Sequence, residues 1–382
     1  MSERGETFTV HFDESELTEL RRRLASTRLP AAVEGAGWDY GIDTAWLADL
    51  LEYWRTGFGW RIVERELNRY RHAYLAVDGL RVHFLEARSP HPGALPLLLT
   101  HGWPGSVLEF LKVLGPLTDP VAHGGSASDA FHVIAPSIPG YGLSEAPHVR
   151  GFDVKAVAAT LAGLMRSLGF DRYGAQGGDW GAMTNAYVAL AAPENCIGLH
   201  LNLVLAGMPP DGPGDLSETE IAALVDARAY MKDRTAYQRV QGLEPDLIGI
   251  ALEDSPAALC AWIVSKFQAW GDCNGDVEKR FSRDELLANV TWYWLTRSAT
   301  SAARLYYETK KSGRFGPVES RVETPTGCAI FPRELFRPPR AWAERLFNVT
   351  RWTEMKAGGH FAAMEEPEAL VEDVRGFFRT VR

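Results

Sequence analysis

The chain has 382 residues, 46% hydrophobic and 23% charged, with a formal net charge of −9 at pH 7. That makeup suits a globular protein with a sizeable core and more than one structural unit. The acidic balance argues against a nucleic-acid or anionic-membrane surface, and no apolar run is long enough to span a bilayer.

Residues 1–6 are polar and lack the apolar core of a signal peptide, so the sequence predicts a cytosolic protein. Phe8-Thr9-Val10 reads as a short strand. A helix follows, with Asp13 or Ser15 as N-cap, Glu16 in its first turn and Leu17, Leu20 and Leu24 on one face. Residues 31–75 carry Trp38, Trp46, Trp54 and Trp60, with helical patterns over 44–55 and 60–68. They read as an arm packed on another unit. Residues 74–77 and 80–87 flank Asp78-Gly79 and predict a hairpin.

From Leu95 the character changes. Residues 95–99 are continuously apolar, as in a parallel-sheet strand buried on both faces. A helix is expected over 107–114, a strand at 131–135, a helix over 153–168 and a strand at 172–176. A helix over 182–190 and a strand at 197–205 continue the alternation. This predicts an α/β fold with a mostly parallel sheet.

Residues 206–318 break the pattern. Pro209, Pro210, Gly212, Pro213 and Gly214 mark a linker, followed by helical stretches at 218–233, 256–267, 283–293 and 300–311. A helical insertion of this kind is expected to cap the C-terminal edge of the sheet as a lid. Strands at 328–331 and 349–355 and a helix over 367–379 close the chain. The expected units are 1–94 (arm and first hairpin), 95–205 (core), 206–318 (lid) and 319–382 (core). Cys196, Cys260, Cys273 and Cys328 are scattered, which predicts buried thiols rather than a zinc site or a disulfide framework.

The chemistry centres on Gly177-Gly178-Asp179-Trp180-Gly181, between a predicted strand and a predicted helix. Small residues two before and two after the central one form the nucleophile-elbow pattern, with aspartate in place of the usual serine. At a helix N-terminus a carboxylate is favoured by the dipole and free N–H groups. His360, in Ala357-Gly358-Gly359-His360-Phe361, follows the last strand, where the order nucleophile, acid, histidine puts the base. Glu334 follows the penultimate strand and is the candidate acid. The other common position, after the strand ending near Leu205, has Asn202 but no carboxylate before Asp211. The backbone N–H groups of Trp103 and Trp180 are candidates for an oxyanion hole, and their indoles for the pocket lining. His101, in the same loop as Trp103, is expected to be structural.

A carboxylate is a poor acyl-transfer nucleophile, because the product would be a mixed anhydride. It can displace a group at a saturated carbon, leaving an alkyl ester for histidine-activated water to cleave. Epoxides and alkyl halides both fit. An epoxide needs proton donors on its oxygen, which tyrosines of the insertion supply. A halide needs only N–H donors, which the two indoles supply, so a haloalkane dehalogenase stays open on these residues alone.

Together, several motifs resemble those of the microsomal-type epoxide hydrolases of the α/β-hydrolase superfamily, and the resemblance covers nearly the whole chain. In the arm these are Ser26-Thr27-Arg28-Leu29-Pro30, Tyr53-Trp54, Phe58-Gly59-Trp60-Arg61 and Val77-Asp78-Gly79. In the core they are His101-Gly102-Trp103-Pro104-Gly105-Ser106, Pro139-Gly140-Tyr141-Gly142-Leu143-Ser144, the Asp179 elbow and Gly358-Gly359-His360-Phe361-Ala362-Ala363. The resemblance implies an α/β-hydrolase fold, Asp179 as nucleophile, His360 as base and Glu334 as acid. It implies Tyr237 and Tyr306 as the lid tyrosines that activate the epoxide oxygen, with Tyr307 the alternative for the second. The implied reaction takes a small-molecule epoxide and water to a vicinal diol with no metal and no cofactor. The membrane-anchoring segment of some animal members is absent, so the resemblance is to a soluble, bacterial-style form. Detoxification and tailoring of a polyketide- or enediyne-type epoxide for antibiotic biosynthesis both fit. The arm and lid leave room for a homodimer, which no motif demands.

Overall fold

The apolar run after Leu95 lies inside a nine-stranded sheet in the computed structural model, which describes residues 5–382. Residues 1–4 of the polar N-terminal run lie outside the described residues. The strands are β1 (Glu6–Phe8), β2 (Arg71–Val77), β3 (Leu80–Ala87), β4 (Leu95–Thr100) and β5 (Phe131–Pro136). They continue as β6 (Tyr173–Gly177), β7 (Cys196–Leu201), β8 (Val322–Ile330) and β9 (Phe347–Glu354). Their spatial order is β1-β2-β3-β5-β4-β6-β7-β8-β9. The pairs from β1 through β3 to β5 are antiparallel, and those from β5 to β9 are parallel. This is the α/β-hydrolase arrangement.

Strand geometry explains why β4 is apolar throughout. Successive side chains point to opposite faces. Leu98 enters one core with Trp54, Leu161 and Val188, while Leu97 and Leu99 enter the other with Leu114, Phe377 and Phe378. The D-G turn joins β2 to β3 with Asp78 at φ 49° and Gly79 at φ 84°, the left-handed pair of a type I′ hairpin. The arm is tied to the insertion by its aromatics. Trp54 Nε1 donates to Thr291 Oγ1 at 2.9 Å, and the Tyr53 hydroxyl donates to Asp284 at 2.8 Å.

Several boundaries differ from the sequence reading. The first strand is Glu6–Phe8 rather than 8–10. Val10 leaves the ladder because the Asn68 side chain takes both its N–H and its carbonyl. Strand β7 ends at Leu201 rather than 205. Leu203 and Leu205 are apolar because they wall a cavity, not because they pair. Strand β8 starts at Val322 rather than 328, with a register irregularity between Val322 and Pro325 where proline interrupts the pattern. The insertion also holds two helices beyond those expected, Ala236–Leu243 and Pro245–Asp254.

All four cysteines are free and buried. Among the described residues no single helix is long and apolar enough to cross a membrane. Helices Pro245–Asp254 and Pro256–Trp270 pass that test only as a pair bent by 116°.

Candidate active site

Strand β6 runs into the helix Asp179–Ala191 through a turn that the glycines permit. A Cβ at Gly181 would overlap the Thr100 carbonyl, and one at Gly178 would overlap the Asn202 side chain. Asp179 sits at φ 48°, a strained backbone conformation for a residue with a side chain, and this lifts its carboxylate above the sheet edge. Oδ1 accepts a 2.7 Å bond from the Trp103 N–H. Trp180 follows in the first helical turn, where backbone N–H groups have no intrahelical acceptor.

His360 Nε2 lies 3.3 Å from Asp179 Oδ2, and Nδ1 lies 2.7 Å from Glu334 Oε1. Both His360 and Glu334 are buried. Glu334 does not pair with its neighbouring arginines. Arg337 bonds Asp226, and Arg333 stands near Asp272. Burial pushes the His360 imidazole down, but the Glu334 and Asp179 carboxylates outweigh it and hold its pKa well above the ordinary value. His101 takes no part in this chain. It is buried, accepts from the Ile138 N–H at 3.2 Å and faces the Gly102 carbonyl at 3.0 Å, and burial pushes it down to about 4.

In front of Asp179 is a cavity of about 340 Å³. Among the described residues that line it, Asp179 is the one charged side chain. Tyr237 and Tyr306 both line it, with ring centroids 6.1 Å apart. Trp103 stacks on Tyr237 at 5.2 Å, and Trp180 meets Tyr306 edge-on at 4.8 Å. Burial pushes both phenols well above the usual value. Tyr307 instead lines a separate surface hollow with Leu247 and Arg304.

Behind Asp179 is a second, smaller space of about 20 Å³, lined by Asp179, His360, Gln176, Asn202 and Glu109 among others. That is room for one water molecule. Glu109 was not singled out from the sequence. Its carboxylate occupies the place a Cβ on Gly105 would take, and burial pushes its pKa up to about 8. The available signal was one glutamate within the apolar run Val107-Leu108-Glu109-Phe110-Leu111. Tyr230, Gln238 and Lys266 around Tyr237, and Glu365 under the histidine loop, were missed as well. Each looks ordinary in its own helix.

Residues 5–110 match the family model described as "Epoxide hydrolase N terminus", and residues 96–292 match that described as "alpha/beta hydrolase fold". A Stigmatella aurantiaca protein named as a candidate epoxide hydrolase is 45% identical, over 98% of this chain and 85% of that one. Epoxide hydrolase 1 of Sus scrofa is 36% identical, over 97% of this chain and 87% of that one. The crystal structure of juvenile hormone epoxide hydrolase from the silkworm Bombyx mori superposes with a TM-score of 0.90 at 31% identity, covering 99% of this chain and 94% of that one. The chain therefore belongs to the microsomal-type epoxide hydrolase family of α/β-hydrolase-fold enzymes.

Proposed function

We propose that this chain converts an epoxide to a vicinal diol through a covalent alkyl ester on Asp179. The observation that carries this reading is the setting of one carboxylate. Its Oδ1 is held by the Trp103 N–H, its Oδ2 faces His360, and it opens onto the cavity that Tyr237 and Tyr306 share. Asp179 attacks a ring carbon, the ring C–O bond breaks, and the electron pair goes to the ring oxygen. The two phenols, kept protonated by burial, meet that oxygen as donors. A departing halide has no use for a proton, so the paired tyrosines favour an epoxide.

The second half-reaction follows from charge. Esterification removes the negative charge of Asp179 and with it one of the causes that hold His360 up. The imidazole then releases its proton to solvent more readily, so the neutral form that can accept a proton from water is present at the stage that needs it. Water in the small rear cavity gives its proton to His360, and its oxygen adds to Cγ of the ester. The N–H groups of Trp103 and Trp180 receive the oxyanion. Collapse expels the diol oxygen, which takes the proton from His360. Glu334 fixes the imidazole orientation throughout.

The front cavity suits a bulky, uncharged epoxide. Detoxification and natural-product tailoring are both served by such a pocket. To test the route, His360→Gln is mixed with styrene oxide and the peptide containing Asp179 is examined by mass spectrometry. An adduct with the mass of the intact epoxide, missing in Asp179→Ala, is expected. Adduct-free His360→Gln protein would reject the covalent route.

A further inference from the structure

Lys266 lies on the helix Pro256–Trp270 of the insertion. Its Nζ stands 4.9 Å from the centroid of the Tyr237 ring. Among the described residues no carboxylate lies within ion-pair distance of it, and Arg234 adds like charge from nearby. A half-buried ammonium without an anionic partner is costly and calls for a reason. Burial pushes its pKa down to about 8, so it still carries its charge at neutral pH.

The two tyrosines differ in what surrounds them. The Tyr237 hydroxyl oxygen accepts from Gln238 Nε2 at 2.9 Å, and the Tyr230 hydroxyl lies 3.4 Å away. The Tyr306 ring meets the neutral Trp180 indole edge-on, with centroids 4.8 Å apart. Among the described residues no ammonium or guanidinium stands over the Tyr306 ring.

We propose that Lys266 is a positioning residue for ring opening: its ammonium makes Tyr237, rather than Tyr306, the phenol that gives its proton to the epoxide oxygen. A phenolate spreads negative charge into its ring, so a cation over the ring stabilises the phenolate more than the phenol. The Gln238 N–H acts in the same direction, because a hydrogen bond to the charged oxygen is the stronger one. Tyr306 has neutral help only, so it donates a hydrogen bond and keeps its proton. The step balances. Asp179 forms a bond to carbon, the ring C–O pair goes to oxygen, and that oxygen takes the Tyr237 proton, leaving a phenolate. Ester hydrolysis returns Asp179 as a carboxylic acid, and its proton restores Tyr237.

This inference rests on Tyr237 being a proton donor, as proposed above. The test separates ring opening from ester hydrolysis in single turnovers of styrene oxide, followed by tryptophan fluorescence. Lys266→Met slows ring opening about tenfold and leaves ester hydrolysis unchanged. Lys266→Arg, which keeps the cation, restores ring opening to within about threefold of the parent. In a Tyr237→Phe background Lys266→Met has no further effect, whereas in a Tyr306→Phe background it keeps its full effect. Equal losses in both backgrounds, or equal slowing of both half-reactions, would overturn the role of Lys266. Unchanged ring opening in Tyr237→Phe alone would overturn the reading of Tyr237, a separate result. Where Lys266→Met does not fold, the pair Lys266→Gln and Lys266→Arg carries the same comparison.

Discussion

Glu365 and Asp272 join the histidine loop to the helical insertion: Glu365 Oε2 accepts the Asp272 N–H at 2.7 Å and the Gly359 N–H at 3.0 Å. Glu365 Oε1 accepts the Phe361 N–H at 2.9 Å, Asp272 Oδ2 accepts the Gly358 N–H at 3.1 Å, and the Trp270 carbonyl accepts the His360 N–H at 3.1 Å. Every backbone donor from Gly358 to Phe361 is therefore held, and most of the anchors come from one carboxylate or from the end of one insertion helix. Glu365→Ala leaves the donors that Glu365 served without their acceptor, which costs about 3 kcal/mol or more. It also frees the loop that carries His360. Urea unfolding should show that loss, and ester hydrolysis should slow more than ring opening. A stability within about 1 kcal/mol of the parent would contradict the latch.

Gly102 and Gly181 should fail in different ways when replaced by alanine. A Cβ at Gly102 would overlap Cβ and Oδ1 of Asp179, a side chain with some freedom to move. A Cβ at Gly181 would overlap the backbone carbonyl of Thr100, which is fixed in β4. Gly102→Ala is expected to fold, by circular dichroism, and to lose about a hundredfold or more in ring opening, because a displaced nucleophile misses its target. Gly181→Ala is expected to give little soluble protein. Comparable activity in Gly102→Ala and the parent would contradict this account of the elbow.

Glu109 sits over the rear cavity and is neutral at pH 7, since its pKa is raised to about 8 by burial. Glu109→Gln keeps a neutral hydrogen-bonding group and should hold ester hydrolysis within about threefold of the parent. Glu109→Leu removes the polar wall of the water site, so the ester should accumulate during turnover. Stability gives a second readout. The folded form keeps a proton that the unfolded form loses between pH 4.5 and about 8. The contribution of Glu109 therefore falls as pH rises through that window. Glu109→Gln should gain stability relative to the parent from pH 5 to pH 8, and a constant difference would contradict the assignment.

Acid should weaken the join between the arm and the core. His72 and His83 stack with centroids 5.2 Å apart, and His72 Nδ1 lies 3.0 Å from His83 Nε2. Burial pushes both pKa values below the ordinary 6.5, and His83 the further. As pH falls below 6.5 the unfolded chain takes up protons that the folded pair refuses. Stability is then lost at up to about 1.4 kcal/mol per pH unit for each histidine. Urea midpoints from pH 8 to pH 5 should fall less steeply in His72→Gln/His83→Gln than in the parent. Parallel curves would show that the pair does not titrate on unfolding.

Much of this arrangement could be read from the sequence, for physical reasons. An apolar run such as 95–99 has few options besides a strand buried on both faces, and turn glycines mark where a side chain cannot fit. The meeting of Asp179, His360 and Glu334 was legible because each follows a strand end in a fixed order. Lys266, Tyr230 and Glu109 were not legible. Their surroundings depend on how insertion helices and loops dock, and local pattern carries no such information. Leu203 and Leu205 misled because a cavity wall and a buried strand require the same residue types.

The ester on Asp179 is tested most directly by one turnover of excess enzyme with styrene oxide in oxygen-18 water. The account predicts an unlabelled first-turnover diol and one labelled oxygen in the Asp179 carboxylate, because water attacks Cγ and the diol leaves with an oxygen that Asp179 supplied. Label in the diol and none in Asp179 would mean that water opens the ring directly, and would contradict the account.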